Sequence, residues 1–269
     1  MIRIIFFSFF LIKAIFSYAQ HDTIQLISWN IKDFGKTKNT AELEQIADIV
    51  KDADIVAIQE VVAGYGGAQA VAKLSDILNR KGAKWDYIVS DPTKSSKYLT
   101  ERYAYVWKTK NIKIKNRGKL IDTLKNLIER EPHVVDFYFK RKKITVINYH
   151  SIPFTKNPRD EITALTNYIL NTYNSPVLLA GDFNMPETDA VFNQFISSGY
   201  TPAITNTKTT IKRACSNGAY LNYAIDNIYF SKGISKVKSR AIDYVLACSE
   251  IEAARKLSDH LPVSLMFYF

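Results

Sequence analysis

Cysteine is scarce: Cys215 and Cys248 are the only two in 269 residues, too few for a disulfide-knotted miniprotein. No apolar run after the first twenty residues is long enough to cross a bilayer. Internal repeats and low-complexity linkers are also absent, which removes solenoids and beads-on-a-string arrangements. No cluster of cysteine and histidine occurs, so a zinc site has little to work with. Acidic residues are outnumbered, 26 Asp+Glu against 36 Lys+Arg, and the net charge of +10 favours acidic partners. Apolar residues are not short. At 47% hydrophobic and 23% charged, the chain is neither disordered nor collagen-like. Its length allows one large domain or two small ones, and the missing linker favours one, over residues 20–269.

The first residues read as a targeting segment. Met1-Ile-Arg3 is a short basic start, and residues 4–12 are apolar but too few to span a membrane. Ser17 and Ala19 then offer small side chains at positions −3 and −1 of a cleavage point before Gln20. Lys13 interrupts the apolar core, and an uncleaved anchor or a buried strand is the alternative. No cysteine follows the cleavage point, which disfavours a lipid anchor. Loss of residues 1–19 removes Arg3 and Lys13 and leaves 34 − 26 = +8. A secreted or periplasmic monomer without a stable membrane anchor is expected. In such a compartment Cys215 and Cys248 are expected to pair; two free buried thiols are the alternative.

Strand-like residues 23–29 precede an amphipathic helix over 41–50, capped by Asn39 or Thr40, with Leu43, Ile46, Ala47 and Val50 on one face. A buried strand at 54–59 leads to a glycine break at Gly64, Gly66 and Gly67, then a helix over 68–80. Strands are predicted at 87–90, 102–108, 112–116, 134–139 and 144–149, a helix over 159–171, a strand at 176–180 and a short helix over 190–196. Residues 120–129 are ambiguous, and 201–222 read as a long surface loop. Strands at 224–230, 236–240 and 261–269 close the chain. Strand–helix alternation around a run of consecutive strands implies α/β layers.

Polar residues gather where these strands end, at Asn30, Glu60, His150 and Asp182 with Asn184, while Asp226 lies inside a late strand and Asp259-His260 precedes the last one. Oxygen ligands of this kind suit Mg²⁺ or Ca²⁺ better than Zn²⁺. Singly each has an ordinary explanation, a helix cap, a solvated loop start or a satisfied core histidine. The ordered set Trp29-Asn30, Gln59-Glu60, Tyr149-His150, Gly181-Asp182-Phe183-Asn184, Ile225-Asp226 and Ser258-Asp259-His260 resembles the endonuclease/exonuclease/phosphatase superfamily of metal-dependent phosphoesterases, over about residues 23–269. Glu101-Arg102-Tyr103, Arg130-Glu131-Pro132 and His150-Ser151-Ile-Pro153 look most like the deoxyribonuclease I family.

That resemblance implies a four-layer α/β sandwich, two packed mixed β-sheets flanked by helices. It implies that Glu60, helped by Asn30 and Asp259, holds the metal, expected to be Mg²⁺ with Mn²⁺ or Ca²⁺ as alternatives. His150 and His260 become a proton-transfer pair oriented by Glu101 and Asp226, each carboxylate favouring the charged ring. Asp182 positions or deprotonates water, while Asn184 and Arg130 relieve charge on the phosphate. Tyr98 is a candidate stacking group, alongside Tyr220 and the cations Lys94, Lys97, Lys208, Lys212 and Arg213. The loop before Asp226 departs from the family in lacking a cysteine just upstream, and two further positions differ: Val62 stands where an arginine commonly enters the DNA minor groove, and Leu99 where a minor-groove tyrosine lies. Both weaken duplex readout and leave the hydrolytic residues untouched. The expected function is a secreted metal-dependent endonuclease with DNA as substrate. The alternatives are a phospholipid, inositol phosphate or nucleotide phosphoesterase, and a non-catalytic binder of nucleic acid.

Overall fold

The computed structural model describes residues 22–174 and 176–269; the expected leader, residues 1–19, lies outside them. In chain order the elements are β1 (Ile24–Phe34), α1 (Thr40–Val50), β2 (Ile55–Val62), α2 (Tyr65–Asn79), β3 (Trp85–Val89), β4 (Glu101–Lys108), β5 (Ile112–Ile114) and β6 (Lys119–Leu120). There follow β7 (His133–Phe139), β8 (Lys142–His150), α3 (Arg159–Thr172), β9 (Val177–Asp182), α4 (Asn193–Ser197) and β10 (Thr201–Pro202). The chain ends with β11 (Ile211–Ser216), β12 (Ala219–Leu221), β13 (Asp226–Phe230), β14 (Ser235–Ala241), α5 (Ile251–Leu257) and β15 (Val263–Tyr268).

Two mixed sheets carry the architecture. One has the order β14-β15-β1-β2-β4-β3, the other β10-β13-β9-β8-β7-β5 with β6 beside β7. The parallel pairs are β1 with β2 and β8 with β9, the pairs joined through helices. Three apolar layers show how the sheets stack. Leu26, Ala57, Tyr105, Val146, Ala180 and Leu265 fill the space between the sheets. Ile27, Trp29, Leu43, Ile46, Val71 and Leu74 pack α1 and α2 on the outside of the first sheet. Ile147, Tyr149, Ile162, Leu165 and Phe195 do the same for α3 and α4 on the second. The result is the four-layer α/β sandwich.

Local sequence explains the elements. Asn39 accepts the Glu42 N–H at 3.0 Å while the Glu42 carboxylate accepts the Asn39 N–H at 2.9 Å, closing a capping box on α1. The glycines near 66 do not break the chain as expected: α2 begins at Tyr65, with Gly64 as its cap. A Cβ on Gly67 would lie 2.0 Å from the Val62 carbonyl, so glycine lets this helix start against the end of β2. Residues 201–222 are not one loop; they form β10 and the hairpin β11–β12. Their side chains are mostly exposed, which leaves a weak apolar alternation to read. Cys215 and Cys248 are joined as a disulfide, tying that hairpin to the turn before α5. Among the described residues no helix is long and apolar enough to cross a membrane.

Candidate active site

Strand alternation builds the site. In β1, Ile24 and Leu26 point between the sheets, so the period of two puts Ser28 and Asn30 on the same face. In β4 the inward series is Trp107, Tyr105, Tyr103 and Glu101; in β8 it is Ile144, Val146, Asn148 and His150. Strand β9 contributes Leu178, Ala180 and Asp182, and β13 contributes Phe230, Ile228 and Asp226. At one end of the inter-sheet space, every series changes from apolar to polar. Register then places His150 beside Asp182 and Asp182 beside Asp226. A Cβ on Gly181 would fall 1.8 Å from the Tyr149 carbonyl, so the glycine before Asp182 allows this close strand approach.

Glu60 breaks the alternation. Gln59 already faces inward, so a regular strand would turn Glu60 into the helix-facing core. The pairing of β2 with β4 shifts between Ile58 and Val61, and Glu60 adopts φ +60°. This bulge aims the carboxylate into the cleft, where Asn30 Nδ2 donates to its Oε1 (3.0 Å) and the Asp33 N–H to its Oε2 (3.2 Å). Asn30 Nδ2 also donates to Asp182 Oδ2 at 3.1 Å. Asn30 thus sits inside β1 rather than at its end.

The two imidazoles are related by one carboxylate. His150 Nδ1 lies 3.0 Å from Glu101 Oε2, and its Nε2 is 3.6 Å from Asp182 Oδ2. His260 Nδ1 lies 2.9 Å from Asp226 Oδ2, and its Nε2 is 3.7 Å from the same Asp182 oxygen. Their electrostatics diverge. Burial first and the Arg130 charge second bring His150 down to about 4. Burial would also lower His260, but Asp226 and then Asp182 outweigh it and raise that ring to about 10. Burial lifts Glu101 to about 7 against the pull of Arg130, and burial with the Asp226 charge lifts Asp182. Glu101 therefore does not hold His150 in its charged form, whereas Asp226 and Asp182 favour the charged form of His260.

Arg130 is buried and donates to the carbonyls of His150 (Nε, 3.2 Å) and Ser151 (Nη2, 2.7 Å) and to Glu101 Oε2 (Nη1, 3.3 Å). Three of its five N–H groups are thereby engaged, and the side chain still lines a cleft of about 390 Å³ with Glu60, Glu101, Tyr98 and Leu99. Tyr98 stands at that rim, 91% exposed. Asn184, at φ +49°, donates from Nδ2 to the Ser151 carbonyl at 3.3 Å. Asp259 stands outside this hydrogen-bond network: its carboxylate meets Arg255 at 3.2 Å and Lys32 at 3.7 Å. Lys94 is paired with Asp122, and Tyr220 donates to Asp243 at 2.5 Å.

Residues assigned no role from the sequence complete the support. Thr209 Oγ1 donates to Asp226 Oδ2 at 2.6 Å. Ser258 Oγ donates to the Asn30 carbonyl at 2.6 Å and accepts the His260 N–H at 3.0 Å. Asn148 joins the sheets, accepting from Gln59 Nε2 at 2.6 Å and donating to the Ile58 carbonyl at 3.0 Å. Asn148 lies two residues before His150 on β8 and could have been found by alternation, and Ser258 belongs to the motif that carries His260. Thr209 lies 17 residues before Asp226, and nothing in its surroundings marks it.

The donors fit a hard divalent cation. Asn30 Oδ1 is buried and has no hydrogen-bond partner among the described residues, an open oxygen beside the Glu60 carboxylate. Asp182, Asp226 and His260 also offer ligand atoms within 4.8 Å of one another. There, however, His260 Nδ1 is already engaged by Asp226 Oδ2 at 2.9 Å.

Comparison with known proteins agrees with this geometry. The profile of the Endonuclease/Exonuclease/phosphatase family matches residues 27–264. Deoxyribonuclease-1 of Oryctolagus cuniculus is 29% identical over 189 residues, spanning 65% of this chain and 66% of that protein's length. An endonuclease/exonuclease/phosphatase family protein from Bacteroides thetaiotaomicron superposes with TM-score 0.67 at 18% identity, covering 93% of this chain and 99% of its own. A mannosyl-6-phosphatase from the same organism gives TM-score 0.67 at 17% identity, covering 91% and 100%. With the profile running through β1, β2, β8, β9, β13 and the start of β15, the chain belongs to the endonuclease/exonuclease/phosphatase family of phosphoesterases.

Proposed function

We propose that the chain is a secreted, divalent-metal-dependent endonuclease that hydrolyses DNA phosphodiester bonds, acting as one catalytic domain of residues 20–269 after removal of residues 1–19. The observation that carries the chemistry is the pair of carboxylate-backed imidazoles whose Nε2 atoms face one Asp182 oxygen at 3.6 and 3.7 Å. The similarity to deoxyribonuclease-1 and the Glu101-Arg102-Tyr103 and Arg130-Glu131-Pro132 segments support DNA as the substrate.

In this reading a water oxygen bonds to phosphorus, the bond to the leaving oxygen breaks, and two protons move. Asp182 orients the water through Oδ2, while its Oδ1 accepts the Asn184 N–H at 2.9 Å. His150 enters uncharged and accepts a proton; His260 enters protonated and donates one to the leaving oxygen. Glu101 and Asp226 fix the two rings through Nδ1. Asn184 and the unengaged N–H groups of Arg130 face the charge that builds on the phosphoryl oxygens. A divalent cation, Mg²⁺ with Mn²⁺ or Ca²⁺ as alternatives, supplies Lewis-acid relief of that charge when bound. Glu60 and Asn30 would hold it, and Asp259 would join them by exchanging its Arg255 and Lys32 partners.

The test is incubation of the purified protein with supercoiled plasmid and, separately, with phospholipid, inositol phosphate, nucleotide and sugar phosphate, each with Mg²⁺ or EDTA. Nicking that requires Mg²⁺ is expected. Turnover of a small phosphoester with the plasmid left intact would move the assignment to that substrate. Retention of plasmid without cleavage would make the chain a binder.

A further inference from the structure

The loops that follow His150 and Asp182 and the one that precedes Asp226 line a second, chemically different cavity. Pro153 lies three residues after His150, Pro186 two residues after Asn184, and Tyr223 and Ile225 just before Asp226. With Phe154 and Asn184 they line an open cavity of about 540 Å³ whose wall is overwhelmingly apolar. The loops are tied to one another beside it: the Phe183 N–H donates to the Ile225 carbonyl at 2.9 Å, and Asn184 Nδ2 to the Ser151 carbonyl at 3.3 Å. Phe154 is 59% exposed and Tyr223 63% exposed, although an apolar ring left in water is unfavourable.

We propose that this cavity is a subsite for an unpaired nucleobase of the nucleotide flanking the scissile phosphate, so that single-stranded nucleic acid is preferred over duplex. The inference rests on the nuclease reading above and names the form of its substrate. Asn184 belongs to both sites, so an occupant sits next to the reacting phosphate. A polyanionic substrate needs few cations here, because Arg130 lines the other cleft. What it lacks is a resting place for a base face, and aromatic rings provide one. Bases in a duplex are already stacked and cannot reach such a wall without unpairing. The opposite rim carries Val62 and Leu99, apolar side chains that offer no hydrogen bond to base edges in a minor groove. One side of the centre therefore lacks the means to read a duplex, and the other has the means to stack an exposed base.

The experiment measures KM and kcat with Mg²⁺ on a single-stranded oligonucleotide, on its duplex, and on the single strand with the flanking base removed. It uses wild type, Phe154→Ala, Tyr223→Ala and the ring-keeping Tyr223→Phe. Expected are faster cleavage of the single strand and a KM raised about tenfold by either alanine or by loss of the base, with Tyr223→Phe near wild type. Equal rates on single strand and duplex, or an unchanged KM in both alanine variants with normal thermal unfolding, would overturn the subsite and leave the nuclease intact. No cleavage of any DNA by wild type would overturn the nuclease reading itself. Hydrolysis of phospholipid vesicles that alone depends on Phe154 and Tyr223 would assign the cavity to acyl chains and overturn the proposal.

Discussion

At Asp182 two imidazoles approach one carboxylate oxygen, His150 from the end of β8 and His260 from the segment between α5 and β15, and the contrast between them follows from what stands behind each ring. Glu101 lies between Arg130 and His150 in a buried layer, so its carboxylate is shared with the arginine cation; Asp226 has no arginine beside it and holds His260 charged. Replacement of His150 by alanine is expected to lower turnover at least about a hundredfold, measured as initial rates on plasmid with thermal unfolding as the control. Thr209→Val removes the hydroxyl that donates to Asp226 and is expected to cost roughly tenfold in kcat, with Thr209→Ser near wild type. A separate residue governs acid stability. Burial holds His133 near 4, below its unfolded value, so the unfolded chain binds the extra proton and stability falls as pH drops from about 6.5 toward 4. His150 has the same sign, but Glu101, raised to about 7, opposes it over much of that window. Urea unfolding should therefore show a loss of about 2 kcal/mol between pH 7 and 5 that His133→Phe largely removes.

The elements that position the centre were legible to different degrees. Buried strands with β-branched residues, such as β2, β8 and β9, and the capped helix α1 follow from alternation, helical spacing and Asn39. Their ordered polar ends were legible too, because each interrupts an apolar inward series. The bulge at Glu60 was not. It needs a φ of +60° at a glutamate, a conformation imposed by the neighbouring strands rather than by local propensity. The helix α5 was missed because only Ile251, Ala254 and Leu257 of its seven residues are buried, too short a stretch to show a period. The hairpin β11–β12 was missed because its outward face is polar and its order depends on a distant contact, the bond from Cys215 to Cys248. Closing a loop of that length contributes about 3–4 kcal/mol in the chain-entropy model. Cys215→Ser is expected to lower the free energy of unfolding by that order in urea titration. Because Thr210 bridges to His260 from the base of the same hairpin, kcat should fall with it. Unchanged unfolding in reduced and oxidised protein would remove this role.

For the whole molecule, the two-sheet frame leaves one end of the inter-sheet space open and lines it with groups that would be costly to bury in a core. Beneath that end Gln59 Nε2 donates to Asn148 Oδ1 at 2.6 Å and Asn148 Nδ2 to the Ile58 carbonyl at 3.0 Å, so polar side chains continue below the floor of the cleft and join the two sheets. The net positive charge of +10 adds an attraction to polyphosphate that does not depend on sequence. If about three phosphates are neutralised, DNA affinity is expected to fall more than tenfold between 50 and 200 mM salt, checked by fluorescence anisotropy in Ca²⁺ or EDTA. The most direct measurement of the central claim is the initial rate of supercoiled DNA cleavage at saturating Mg²⁺ for wild type, Glu60→Gln and His260→Ala, each with native circular dichroism. The account predicts that both variants fall by about a hundredfold or more; either variant cleaving within twofold of wild type would contradict it.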